Sequence, residues 1–179
     1  MILHSMQTKP TLHPMFHQAT GINIRRIQEK DNAAIAEIIR HSLAEFGAAK
    51  PGTVYYDPTT DALYQLFQKE RAAYFVAEQD NTLLGGGGIY PTEGLPSDTC
   101  ELVKMYVRRE NRGMGLGKRL IQQSLDFANE AGYKRVYLET MPELQQALST
   151  YAKFGFAYLQ QPMGNSGHHG CSLWMLKEL

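Results

Sequence analysis

The stretch ENRGMGLGKRL, residues 110–120, sets Gly113, Gly115 and Gly117 on alternate positions directly ahead of a helix-like pattern. Glycine costs roughly 1 kcal/mol against alanine inside a helix, so glycines at a helix entrance serve something other than helix formation. The first turn of a helix leaves backbone N–H groups unpaired, and the aligned peptide dipoles add about half a positive charge there. Glycine at that place lets a phosphate oxygen approach without meeting a β-carbon. Arg112, with Arg108, Arg109 and Lys118 nearby in sequence, can add charge-assisted hydrogen bonds. The chemistry on offer is phosphate binding.

The type of phosphate loop follows from spacing. A G-x-x-x-x-G-K-[ST] loop fails twice: Gly117-Lys118 is followed by Arg119, and Arg112 occupies the leading glycine position. A G-x-G-x-x-G fingerprint fails at its third glycine, which is Lys118. The pattern present is R-x-x-G-x-G, carried by Arg112, Gly115 and Gly117. It resembles the pyrophosphate loop of the GNAT superfamily of acyl-CoA N-acyltransferases. Downstream, YAKFGF (151–156) matches that family's Y-x-x-x-G-F, at a distance that fits one strand and one helix in between. The resemblance covers about residues 22–179 and is sharpest over 99–158.

The resemblance implies a fold, a cosubstrate and a set of roles. The fold is α/β, a mixed and largely antiparallel central sheet flanked by helices, splayed between its fourth and fifth strands. Acetyl-CoA would enter that splay, its pantetheine arm against the backbone of Met105, Tyr106 and Val107. Its pyrophosphate would lie on Arg112, Gly113, Met114, Gly115, Leu116, Gly117 and Lys118. A backbone N–H near Met105 would face the thioester oxygen. Tyr151 would be the acid that reprotonates the departing thiolate, a task suited to a phenol of ordinary pKa near 10. Glu101 stands where some relatives place a general base, and burial would raise its pKa toward the useful range. A structural ion pair of Glu101 with Lys104 or Arg109 is the competing assignment. Many relatives carry Asn where this chain has Leu144, so local cofactor contacts there must differ.

The implied activity is transfer of acetyl from acetyl-CoA to a primary amine of a small molecule, by direct attack in a ternary complex. A protein lysine or N-terminal acetyltransferase, or a non-catalytic acyl-CoA-binding regulatory module, remains open beside it. Tyr55, Tyr56 and Asp57 lie in a loop where relatives often build the acceptor pocket, so Tyr55 and Tyr56 are the expected substrate contacts. Relatives are often dimers, which makes a homodimer the candidate assembly.

These residues must be positioned by elements that the hydrophobic patterning outlines. Strands are expected at 22–28, 72–79, 82–91, 99–109 and 134–140, and in the final segments GFAYLQQ and CSLWMLKE. Helices are expected from an Asp31 cap to Glu45, over 61–70 behind an Asp61 cap, over 116–131, and from Pro142 to Phe154. In the third of these, Leu116, Leu120, Ile121, Ser124, Phe127, Ala128 and Ala131 form one stripe, and Gly132 stands at its end. The run Gly85 to Gly88 inside a strand marks a bulge or a close backbone approach.

Composition narrows the class. At 179 residues and 43% hydrophobic, the chain can bury a core as one domain, taken here as 21–179. Residues 1–20 lack a continuous apolar run and read as a loosely ordered leader. Lys+Arg and Asp+Glu balance at 18 each, which argues against a nucleic-acid or membrane-surface partner. The two cysteines, Cys100 and Cys171, lie far apart and form neither a disulfide framework nor a metal-ligand pattern. A reducing, cytoplasmic location is expected, with no metal. Cys100 on a strand is better explained as a small buried residue than as a nucleophile. His168 and His169, adjacent in a glycine-rich loop, are expected to face solvent, while their loop, GNSGHHG, is itself a candidate lining of the acceptor side.

Overall fold

The computed structural model describes residues 21–179. The expected leader therefore lies outside the described residues. Seven strands form one sheet: β1 (Asn23–Arg26), β2 (Ala73–Gln79), β3 (Thr82–Tyr90), β4 (Thr99–Val107), β5 (Arg135–Thr140), β6 (Ala157–Tyr158) and β7 (Leu173–Glu178). Their spatial order is β1-β2-β3-β4-β5-β7-β6, and every pairing is antiparallel except β4 with β5. Four helices accompany them: α1 (Asn32–Glu45), α2 (Leu63–Leu66), α3 (Leu116–Glu130) and α4 (Gln145–Lys153). This is the α/β architecture expected from the sequence.

Two layers of apolar side chains cover the two faces of the sheet. On one, Ile35, Ile38, Ile39 and Leu43 of α1 pack with Leu63, Phe67, Tyr74 and Val76. On the other, Ile121, Leu125 and Ala128 of α3 and Tyr151 of α4 pack with Cys100, Leu102, Val136, Leu138 and Met175. Each fully buried Leu or Ile contributes roughly 1.5–3 kcal/mol, so these two layers set the orientation of every helix. The α3 stripe is buried much as its spacing predicts, with Leu125 added and Phe127 only partly covered. Gly132 (φ +79°) ends the helix in the left-handed conformation that glycine adopts without strain.

The splay has a local cause. β4 and β5 pair only from Thr99 opposite Arg135 to Glu101 opposite Tyr137. Beyond that point β4 stays with β3 and β5 stays with β7. Along β3 and β4, Gly86 stands opposite Tyr106 and Gly88 opposite Val103, so β4 carries one extra residue there. Lys104 takes up that bulge with φ +51°. A bulge bends and further twists its strand, which turns the outer half of β4 away from β5.

The glycine run on β3 serves its own chain. A β-carbon at Gly86 would lie 2.7 Å from Tyr74 Cε1, and one at Gly87 would lie 2.2 Å from Met105 Cε. Both positions are filled by neighbouring side chains.

Three element boundaries differ from the sequence expectation. Asp31 stands at the N-cap of α1 as expected, but its side chain makes no capping bond; its carboxylate takes two bonds from the Arg25 guanidinium (2.6 and 3.0 Å) and one from the Gln28 N–H (2.7 Å). The 61–70 helix shrinks to a 3-10 turn at Pro58–Ala62 followed by α2, and Asp61 pairs with Arg40 at 2.6 Å. Pro142 precedes α4 by three residues because the helix begins at Gln145. GFAYLQQ keeps only a two-residue strand, β6; farther on the chain leaves β7, with the Met163 N–H on the Tyr137 hydroxyl (3.2 Å) and the Asn165 N–H on the Glu93 carbonyl (2.7 Å).

Candidate functional site

Where β4 and β5 part, a cleft of about 420 Å³ opens between the two faces of the sheet. β4 lines it continuously from Glu101 to Val107, joined by Arg112, Gly113 and Gly115 to Lys118, by Glu139 on β5, and by Tyr151 on α4. Nearly all of the residues assigned to a cofactor or a catalytic role from the sequence therefore share one cavity.

The glycine turn owes its shape to its glycines. Gly113 and Gly115 both sit at φ +79°, a region costly for a residue with a β-carbon. Gly115 is the N-cap of α3, and the first helical bond runs from the Arg119 N–H to its carbonyl (3.1 Å). The N–H groups of Leu116, Gly117 and Lys118 therefore have no intrahelical acceptor. A β-carbon added at Gly113, Gly115 or Gly117 would meet nothing within 4 Å. Unlike those of β3, these glycines face open space, and a phosphate group fits that cradle. Leu116 turns its side chain into the core. Met114 is an exception to the sequence expectation: it is exposed and does not line the cleft.

Arg112 reaches back across the turn. Its guanidinium lies 2.9 Å from Glu45 Oε2, donates to the Val107 carbonyl (3.0 Å) and lies over the Phe46 ring. It ties the end of α1 to the turn and so fixes the loop's shape.

Glu101 is buried, and neither structural pairing considered for it is present. Lys104 is engaged elsewhere, and the Glu101 carboxylate instead accepts the Thr92 hydroxyl. Burial, opposed by that hydrogen bond and reinforced by the charge of Glu139, pushes its pKa up to about 8. A carboxyl in that range can take a proton near neutral pH.

Tyr151 projects from α4 with its ring edge-on to Phe156, centroids 5.9 Å apart. Gly155 (φ +86°) makes this contact possible by reversing the chain, so that the Phe156 N–H bonds the Tyr151 carbonyl at 3.1 Å. Burial raises the phenol's pKa, so it remains protonated across the neutral range. Among the described residues its hydroxyl has no hydrogen-bond partner.

Beyond these lies a set of residues that spacing did not bring together. The Lys104 Nζ is 2.6 Å from Asp57 Oδ2 and 3.4 Å from Thr60 Oγ1. His168 Nε2 lies 3.2 Å from the same Asp57 oxygen. Lys104, Thr59 and His168 together hold the Asp57 carboxyl far below the usual range despite burial. His168 is thus half-buried and on the cleft, contrary to the solvent-facing position expected, while His169 is exposed. Their loop is latched again by Ser166, which donates to Glu139 Oε2 at 2.6 Å. Tyr55 and Tyr56, the expected substrate contacts, meet edge-to-face with ring centroids 5.0 Å apart; neither lines the cleft, and Tyr56 is exposed. Their neighbour Asp57 is the member of that loop directed inward. Cys100 is buried with its thiol pushed up to about 12, which suits a packing residue.

The sequence of this site region matches known proteins. Residues 35–156 match the Acetyltransferase (GNAT) family. The chain belongs to the GNAT acetyltransferase family. The enzyme class expected from its motifs, an N-acetyltransferase, stands with that membership. Among relatives of this GNAT chain, the uncharacterized N-acetyltransferase YjgM of Escherichia coli (strain K12) is 43% identical, over 87% of this chain and 94% of its own. A GNAT acetyltransferase from Staphylococcus aureus Mu50 shares the fold with a TM-score of 0.78 at 18% identity, covering 88% of this chain and 98% of that one. The yncA acetyltransferase of Salmonella typhimurium, solved with acetyl-CoA, gives a TM-score of 0.69 at 21% identity, covering 89% and 94%.

Proposed function

We propose that this GNAT chain transfers an acetyl group from acetyl-CoA to the primary amine of a small molecule, by direct attack within a ternary complex. The observation that carries the proposal is a juxtaposition. The raised carboxyl of Glu101, the unpartnered hydroxyl of Tyr151 and the free N–H groups of the glycine turn all open onto one cleft. Acetyl-CoA is the cosubstrate, its pyrophosphate on Arg112–Lys118 and its pantetheine amides against the outer half of β4. That half of β4 has no strand partner on its β5 side, so its peptide groups are available to an extended ligand. Binding of acetyl-CoA by the structurally similar yncA enzyme supports this assignment.

The steps then follow from the residues. Ionised Glu101 accepts a proton from the ammonium of the acceptor, and the freed lone pair attacks the thioester carbon. A backbone N–H near Met105 faces the oxygen that becomes negative. Collapse of the intermediate breaks the C–S bond, the attacking nitrogen sheds its second proton to solvent, and Tyr151 gives its proton to the departing thiolate. Solvent returns the proton to Tyr151 and takes the one held by Glu101. Cys100, buried and protonated, does not form an acyl intermediate.

A small acceptor is favoured by the way the cleft closes. The His168 loop is tied to the Asp57 segment, and the Gly170 N–H bonds the Gly52 carbonyl at 2.8 Å, which narrows one end of the cleft. A cytoplasmic enzyme is the corresponding cellular reading, and no described helix is long and apolar enough to cross a membrane. Release of free CoA thiol from acetyl-CoA, measured across amino acids, polyamines, aminoglycosides and short peptides, tests the proposal. A strong small-molecule acceptor is expected. Turnover of peptides alone would reassign the acceptor to protein, and acetyl-CoA binding without turnover would make the chain a regulatory module.

A further inference from the structure

We propose that Lys104 recognises a carboxylate on the acceptor, so that the substrate is an amine bearing a carboxylate, of the amino-acid type. The inference rests on the reading that this cleft acetylates an amine. It starts from the bulge. In a regular strand Lys104 would share the face of Leu102, toward α3. The extra residue at φ +51° instead turns it to the face where Val103 packs against the α1 layer. Its side chain is only 3% exposed, yet Lys104 lines the cleft. A left-handed lysine carrying a buried charge is a costly arrangement that packing alone does not call for.

Hydrogen-bond accounting gives this arrangement a direction. An ammonium has three N–H donors. Asp57 takes one at 2.6 Å and Thr60 another at 3.4 Å, and the third has no partner among the described residues. Asp57 itself is fully occupied, since it also accepts the Thr59 N–H (2.8 Å), the Thr59 hydroxyl (2.7 Å) and His168 Nε2 (3.2 Å). It orients Lys104 and His168 and has no capacity left for an incoming ammonium. Glu139 is held in place by one bond at each oxygen, from the Tyr137 hydroxyl at 2.8 Å and the Ser166 hydroxyl at 2.6 Å. Thr92 occupies Oε2 of Glu101, which leaves Oε1 as the open acceptor.

The acceptor end therefore has a polarity. A proton acceptor, Glu101, stands three residues along β4 from a cationic donor, Lys104, and His168 borders the same space. Three residues of regular strand span about 10 Å between α-carbons, the bulge at Lys104 shortens that distance, and both residues line the cleft. A compact molecule with an amine at one end and a carboxylate at the other matches this spacing. A polyamine would set an ammonium against Lys104, where like charges repel.

Matched acceptors decide the point. CoA-thiol release is measured on the full-length enzyme with L-amino acids, their amides and their decarboxylated amines. Wild type is expected to prefer the carboxylate-bearing member by at least about tenfold in kcat/KM, a single charge-assisted contact. K104M should remove that preference mainly through a raised KM, and K104R should keep part of it. Equal or better turnover of the amines lacking a carboxylate, or a preference that survives in K104M, would overturn the inference alone. The wild-type comparison decides even where K104M fails to fold. Absence of turnover with every amine, acetyl-CoA being bound, would instead overturn acetyl transfer itself and the inference with it.

Discussion

Thr92 donates its hydroxyl proton to Oε2 of Glu101, and that contact opposes the burial that raises the carboxyl's pKa to about 8. The base must be ionised to act, so kcat/KM should climb with pH and level off above about 8. Thr92→Val removes a hydrogen bond that favours the charged form, so the inflection should move upward by roughly one pH unit. Thr92→Ser should leave it in place. A pH–rate profile of the three proteins checks this, and an unmoved inflection in Thr92→Val would detach Thr92 from the base.

Glu101 also links pH to stability. Its folded pKa lies above the ordinary carboxylate value of 4.5, so between pH 4.5 and about 8 the folded chain holds a proton that the unfolded chain has released. Stability therefore falls through that window, by at most about 1.4 kcal/mol per pH unit from this group. Glu101→Gln mimics the protonated form and should melt at a higher temperature than wild type at pH 8, while losing most of its turnover. Thermal unfolding at pH 5 and pH 8 measures it, and the gain should shrink at pH 5.

Tyr151→Phe removes a hydroxyl that no described residue bonds. Its ring contact with Phe156 is kept, so unfolding should move by less than about 0.5 kcal/mol. Turnover should fall by roughly 10²–10⁴ if the phenol is the acid. Wild-type turnover in the variant would remove Tyr151 from the mechanism.

Gly117 separates folding from ligand binding. It lies inside α3, outside the positive-φ glycines, with nothing within 4 Å of a β-carbon placed there. Gly117→Ala should stabilise the helix by up to about 1 kcal/mol and yet weaken acetyl-CoA binding, because the methyl enters the phosphate's space. Gly115→Ala should weaken both, since Gly115 sits at φ +79°. Calorimetric titration with CoA alongside thermal melts distinguishes the two.

Much of the site was legible in the sequence because its parts depend on local backbone. A glycine at positive φ, a helix entrance and a Tyr151-to-Phe156 reversal are each short-range events, and residue type alone constrains them. The family resemblance added the splay between the fourth and fifth strands and the roles of Tyr151 and Glu101. Short-range patterning misled where a long-range partner intervened. Asp31 and Asp61 have the residue type of helix caps, but Arg25 and Arg40 claim their carboxylates. His168 belongs to a loop of polar and small residues, yet Asp57, more than a hundred positions earlier, draws it onto the cleft.

The sequence by itself determined the glycine turn at a helix entrance and the α/β class, because periodicity and glycine placement act over a few residues; the family resemblance supplied Tyr151 and Glu101 as candidate acid and base. Only the tertiary structure decided what surrounds them. Thr92 against Glu101, Ser166 against Glu139, and Lys104 between Asp57 and Thr60 all join segments that are distant along the chain or redirected by the bulge in β4. Which charges share a cavity depends on how the sheet twists and parts, and residue spacing in one dimension does not carry that information.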